Sequence, residues 1–227
     1  WLVRMDVSRT AEEISAELAE NTGQPLPEGF VASVIKDLDE RLALDSPRFQ
    51  AALQRQVDHF LSAPTRPTRH AGSAGYPVQP SALREALTSM VGAAESQIPG
   101  IPRPRGLVAP HIDLARGREG YSIAYRALAE APPADLYAIF GTGHSGPSAP
   151  VTGLPLDWTT PLGRVPTDRQ HIGRVHQALG APSPMDQFLH RDEHSLEFQV
   201  LFLQHILGDR PFQVAAFLLV CLPTETG

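Results

Sequence analysis

Two short apolar runs in this chain each end on a histidine-bearing turn. Residues 107–109 (Leu-Val-Ala) lead into Pro110, His111, Ile112 and Asp113, and residues 136–140 (Leu-Tyr-Ala-Ile-Phe) lead into Gly141, Thr142, Gly143, His144, Ser145 and Gly146. Short continuous apolar runs bounded by turn residues read as strands buried in a helix-covered sheet. A third run occupies residues 214–220. Between the runs, residues 121–131, 169–179 and 194–207 read as helices, and in the last of these Leu196, Val200, Leu203 and Leu207 share one side. Strand and helix therefore alternate, which predicts an α/β fold with a mixed or parallel sheet flanked by helices. In open α/β sheets ligands bind beyond the carboxyl ends of the strands. His111 and His144 fall there, and the glycines around His144 let backbone turn tightly toward a ligand.

Residues 1–62 follow a different pattern. Thr10 and Glu13 form a capping box, each side chain able to satisfy a backbone N–H of the other's turn, and Ile14 and Leu18 then lie one helical turn apart. A turn follows at Asn21, Thr22 and Gly23. Pro27 suits the first turn of a second helix, which carries Phe30, Val31, Val34, Ile35 and Leu38; Asp45, Ser46 and Pro47 open a third, with Phe49, Leu53, Val57 and Phe60 apolar. Together with a short strand over residues 1–4, this predicts a small helical, winged-helix-like module, similar in pattern to peptide-binding chaperone domains, or else a helical appendage of the main domain. Residues 63–69 contain Pro64 and Pro67 and read as a linker. The expected division is thus 1–62 for the helical module and 66–227 for the α/β domain. Within the latter a further helix is expected over 81–91, before a breaker-rich stretch at 99–104.

Composition narrows the partners. The net charge of -6 argues against nucleic acid, which needs a concentrated cationic surface. No apolar stretch nears the roughly 20 residues that span a bilayer, and no signal peptide opens the chain. With Cys221 as the one cysteine, no disulfide can form within the chain, in keeping with a reducing cytoplasm. Both ends read as cut from a longer chain.

The chemistry concentrates in three places: His111, His144, and the acidic entry to the last helix, Asp192, Glu193, His194. Neutral imidazole is a common ligand for iron, copper and zinc. Any one histidine after a strand is more simply structural, and Asp192 and Glu193 could merely complement a helix dipole. Three such features, two at strand ends and one at a helix start, set a metal or catalytic site level with that structural reading. Asp113 could add a carboxylate, or make a bond to a ligating imidazole. His59, His171, His176 and His205 read as surface or packing groups, and His190 as a secondary candidate beside the acidic loop. Tyr121 and Trp158 could wall a pocket or pack in the core, and Cys221 reads as a small buried hydrophobe.

The motifs occur in a telling order. Pro110-His111-Ile112-Asp113, Arg116-Gly117 with Tyr121, Ile139 to His144, Thr160-Pro161-Leu162-Gly163 with Asp168, and Glu193-His194-Ser195-Leu196-Glu197-Phe198-Gln199 resemble the signature of the Memo family, and His70-Ala71-Gly72-Ser73 with Tyr76-Pro77 resembles its opening motif. The resemblance covers about 66–222. The Pro-His-Ile-Asp variant is similar to the bacterial group named AmmeMemoRadiSam system protein B. It implies a fold related to class III extradiol ring-cleaving dioxygenases, a metal site at His111, His144 and His194, and iron or copper as the cofactor. His194 and Asp113 would be the catalytic groups of a metal-dependent redox or oxygenase-type enzyme of unstated substrate. The alternative is a non-catalytic scaffold that binds a peptide or acts with an AMMECR1-like and a radical SAM partner. A further cysteine typical of the family's late sequence does not stand in its motif here; either it belongs to sequence beyond this stretch or the protein lacks it.

Overall fold

A computed structural model describes residues 9–72, 75–92 and 104–220. The strand expected over residues 1–4 and Cys221 lie outside the described residues. The chain divides into two compact units, Trp1–Asp58 and His59–Gly227.

In the first unit α1 (Ala11–Thr22) begins at the expected capping box. The Thr10 hydroxyl accepts from Glu13 N, the Glu13 carboxylate accepts from Thr10 N, and the helix stops at Gly23, whose φ of 69° is left-handed. α2 (Phe30–Glu40) starts three residues after Pro27, whose carbonyl closes the preceding turn by accepting from Phe30 N. α3 (Pro47–Leu61) has Pro at its first position, and Ser46 Oγ accepts from Phe49 N. Ile14, Val31 and Val57 are buried apolar side chains of these helices, and so is Phe60 near the end of α3.

The second unit is mixed α/β. One three-stranded sheet runs β1-β4-β5, with β1 (Thr65–Arg66) parallel to β4 (Asp157–Thr160) and β5 (Gly163–Val165) antiparallel to it. The other runs β2-β6-β3: β2 (Leu136–Thr142) is parallel to β6 (Gln213–Leu219), and β3 (Val151–Gly153) antiparallel to it. Around them lie α4 (Pro80–Gly92), α5 (Arg118–Glu130), α6 (Arg169–Leu179), α7 (Pro184–Phe188) and α8 (His194–Leu207).

α8 organises this unit. Leu196, Val200, Leu203 and Leu207 pack on the sheet residues Ile139, Trp158, Val214, Ala216 and Leu218. The opposite side carries Phe198, Leu201 and Phe202 into a second core with Leu83, Leu87, Met90, Tyr121 and Tyr125. Phe202 stacks on both tyrosines, at 4.8 and 4.3 Å between ring centroids. The helix is therefore buried on two sides, where the sequence suggested one apolar stripe.

Three expectations change. Residues 107–109 are not a strand: they run alongside β2 without joining the sheet, with Val108 98% exposed. β2 is consequently half-buried, with Ile139 and Gly141 inside and Phe140 63% exposed. The stretch 63–69 is no free linker, because Thr65 and Arg66 form β1 and Arg66 is fully buried. A strand placed against a central strand must give up its water, and the buried guanidinium is satisfied there by the Glu197 carboxylate and by the carbonyls of His190 and Glu193.

Candidate metal centre

His194 is the first residue of α8, and Glu193 caps the helix by accepting from Ser195 N at 2.9 Å. Ser195 Oγ donates to Thr142 O at 3.1 Å, which ties the helix start to the end of β2. The two elements meet at Gly141, where a Cβ would stand 2.5 Å from Ser195 Oγ and 2.7 Å from Leu196 Cδ2. The turn beyond β2 is held by Gly143 N donating to Leu219 O at 2.9 Å. His144 then meets Glu193 twice: its backbone N–H donates to Oε2 at 3.1 Å, and its ring Nδ1 lies 3.0 Å from Oε1.

His111 arrives on a loop fixed from both sides. Gln199 Nε2 donates to Pro110 O at 3.0 Å, and the Tyr121 hydroxyl donates to Ile112 O at 2.9 Å. Asp113 closes the following turn, its carboxylate accepting from Arg116 N at 3.0 Å and pairing with the Arg116 guanidinium. The Arg116 backbone and side-chain hydrogen bonds hold the Asp113 carboxyl below its usual range.

The three imidazoles come together. Ring centroids are 4.7 Å apart for His144 and His194, 5.2 Å for His111 and His144, and 6.0 Å for His111 and His194. Donor atoms of His144, Glu193 and His194 all lie within 4.8 Å of one another. An ionised carboxylate can only accept, so the His144–Glu193 contact fixes the proton on Nδ1 and leaves Nε2 with a bare lone pair. Glu193 already accepts from Ser195 N and from the His144 backbone and ring, so its oxygens are largely engaged in orienting histidines. Burial raises the cost of ionising Glu193, but hydrogen bonds from Ser195 and His144 outweigh it and lower its pKa. Burial pushes the His194 imidazole down; Glu193 opposes this, and the neighbouring rings of His144, His70 and His111 add to it. A nitrogen-rich donor set in which Glu193 holds the His144 ring suits a borderline metal such as iron, copper or zinc, so the residues present fit the metal that the resemblance implies.

Beside His111 opens a cleft of about 680 Å³, walled by β2, residues 104–109, Tyr125, Ser195, Gln199 and Leu203. The remaining histidines fall elsewhere. His190 is fully buried and its Nε2 donates to Thr152 O at 3.0 Å; His171 pairs with Asp168 at the start of α6. Trp158 lies in the core under Arg66, 4.7 Å from the guanidinium, while Tyr121 both packs in the core and anchors the His111 loop. Glu193 and Gln199 were visible in the sequence as letters of a motif, but nothing in their spacing showed which backbone or ring each would hold.

The fold and this centre define a mixed α/β protein with a cluster of histidines beyond a strand end, in which Glu193 at the start of one helix orients the His144 ring. The chain belongs to the Memo-like protein family, whose model matches residues 66–226. It is 30% identical over 205 residues to a MEMO1 family protein of Aquifex aeolicus, covering 90% of this chain and 53% of that protein. A MEMO1 family protein of Thermus thermophilus is 29% identical over 201 residues, covering 86% and 58%. One from Methanococcoides burtonii is 36% identical over 135 residues, covering 59% and 47%. The chain thus spans about half the length of the curated relatives it matches. Among the described residues, no helix is long and apolar enough to cross a membrane.

Proposed function

We propose that this chain carries the centre of a metal-dependent redox or oxygenase-type enzyme, in which His111, His144 and His194 hold iron or copper. The observation that carries the reading is the convergence of three imidazoles, with the His144 ring locked by Glu193. When bound, the ion would supply Lewis-acid and redox chemistry to a substrate in the neighbouring cleft. Gln199 and Tyr121 set the position of His111 by gripping the carbonyls on either side of it. Glu193 sets the His144 tautomer and also caps the helix that presents His194. Burial and the rings around it lower the pKa of His194 against the opposing pull of Glu193, which favours the neutral ring and a lone pair for the ion or for a substrate proton. Asp113 holds the turn after His111 through Arg116 and acts on the centre by position.

Metal analysis of untagged protein tests the reading. About one equivalent of iron or copper is expected, and both His111→Ala and His144→Ala should lose it while keeping the native circular dichroism, since neither ring lies in the core. A folded wild-type protein that neither retains nor takes up iron or copper would remove the enzyme reading and leave that of a scaffold acting with AMMECR1-like and radical SAM partners.

A further inference from the structure

A fourth imidazole stands at the edge of the centre. The His70 ring meets the His194 ring edge-to-face at 5.7 Å, inside the 4.7–6.0 Å range of the other three pairs. Its placement is built in detail. Arg66, fully buried, pairs with Glu197 and donates to His190 O at 3.0 Å and Glu193 O at 2.8 Å. Glu197, one turn into α8, also accepts from Thr68 Oγ1 at 2.9 Å, from the Tyr76 hydroxyl at 2.5 Å, and from His70 N at 3.0 Å. At Gly75 a Cβ would lie 2.5 Å from His70 O, so this backbone closes directly on His70.

The His70 side chain repeats the arrangement at His144. Its Nδ1 lies 3.3 Å from Glu197 Oε2, as His144 Nδ1 lies 3.0 Å from Glu193 Oε1. Glu193 and Glu197 are successive carboxylates on one helix face, each fixing an imidazole by Nδ1 and leaving its Nε2 unprotonated. A purely structural account would have His70 serve the buried carboxylate. His70 is not the only group there, since Glu197 also pairs with Arg66 and accepts from Thr68, Arg69 N, His70 N and Tyr76; a carboxylate partner on Nδ1 leaves the far edge of the ring turned to the His194 side. The His70 ring also keeps 24% of its side-chain surface exposed, so it is reachable.

We propose that His70 is a fourth nitrogen donor of the centre, ligating through Nε2 the ion held by His111, His144 and His194. The inference rests on the metal-centre reading above. Cu²⁺ serves as the probe, with affinity measured by competition with a chelator and the ligand set read from nitrogen splittings in electron paramagnetic resonance. His70→Ala should bind Cu²⁺ about 10–100-fold more weakly and lose one nitrogen from the splitting pattern. His70→Gln retains an amide donor for Glu197, which guards against loss of fold, and should show the same spectral change. His171→Ala, on α6, should match wild type. If both His70 variants keep the wild-type nitrogen pattern while His111→Ala changes it, His70 is no ligand and the three-histidine centre stands alone. If wild-type protein binds no Cu²⁺, the parent reading fails first.

Discussion

At the scale of single residues, His190 shows how deeply this fold buries polar groups for structural ends. Its ring is enclosed, and burial pushes its pKa down to about 3 from 6.5, with the Thr152 carbonyl opposing only in part. Below pH 6.5 the unfolded chain therefore binds a proton that the folded chain does not. The stability that His190 contributes is whole above pH 6.5 and is lost as pH falls toward 3, at up to about 1.4 kcal/mol per pH unit. His176, His194 and His205 are shifted in the same direction by burial, so the variant must isolate the effect. His190→Gln can still donate to Thr152 O but cannot titrate. Urea midpoints between pH 7 and 4 should fall less steeply for it than for wild type; parallel curves would show that His190 does not carry this dependence.

At the scale of elements, the centre depends on how closely β2 and α8 meet. Gly141 lets Ser195 Oγ reach Thr142 O and seats Leu196 against the strand. Gly141→Ala forces that contact apart, and we expect it to cost about 1–3 kcal/mol in chemical denaturation, as overpacking does. It should also weaken metal binding, because His144 lies just beyond β2 and His194 begins α8. A variant of wild-type stability and metal affinity would mean that the interface gives way elsewhere.

This scale also shows what the sequence could and could not tell. α6 and α8 were readable to the residue, because long runs at helical spacing between an acidic start and a glycine leave little choice. β3, β4 and β5 were not, since three or four residues such as Asp157-Trp158-Thr159-Thr160 have no period to detect. Residues 107–109 read as a buried strand from apolarity alone, yet pairing is a tertiary property and Val108 faces solvent. His111, His144 and His194 could be picked out by position after apolar runs and at a helix start. His70 could not, because it follows a two-residue strand, too short to show a period, that is defined only by its pairing with β4.

At the scale of the whole molecule, the Arg66–Glu197 pair decides how the segment joining the helical module to the α/β unit behaves. We propose a boundary within 62–64, short of β1. Arg69 N and His70 N both donate to buried Glu197, and Arg66 is enclosed with its guanidinium over the Trp158 ring. Native-state hydrogen exchange should accordingly find the Arg69 and His70 amides protected to the level of the α8 core. Exchange within seconds, as in a free linker, would contradict the clamp.

The sequence distances involved have a thermodynamic meaning. His70 lies 127 positions from Glu197, and His144 lies 49 from Glu193. An unfolded chain cannot gather these groups without closing long loops, so it offers an ion only scattered, single imidazoles. A ligand that selects the native form draws the folding equilibrium toward it by mass action, by about 2.7 kcal/mol at a hundred times its dissociation constant. The centre is thereby coupled to the fold: whatever fills it in the cell will set how long the molecule survives there as well as what it does.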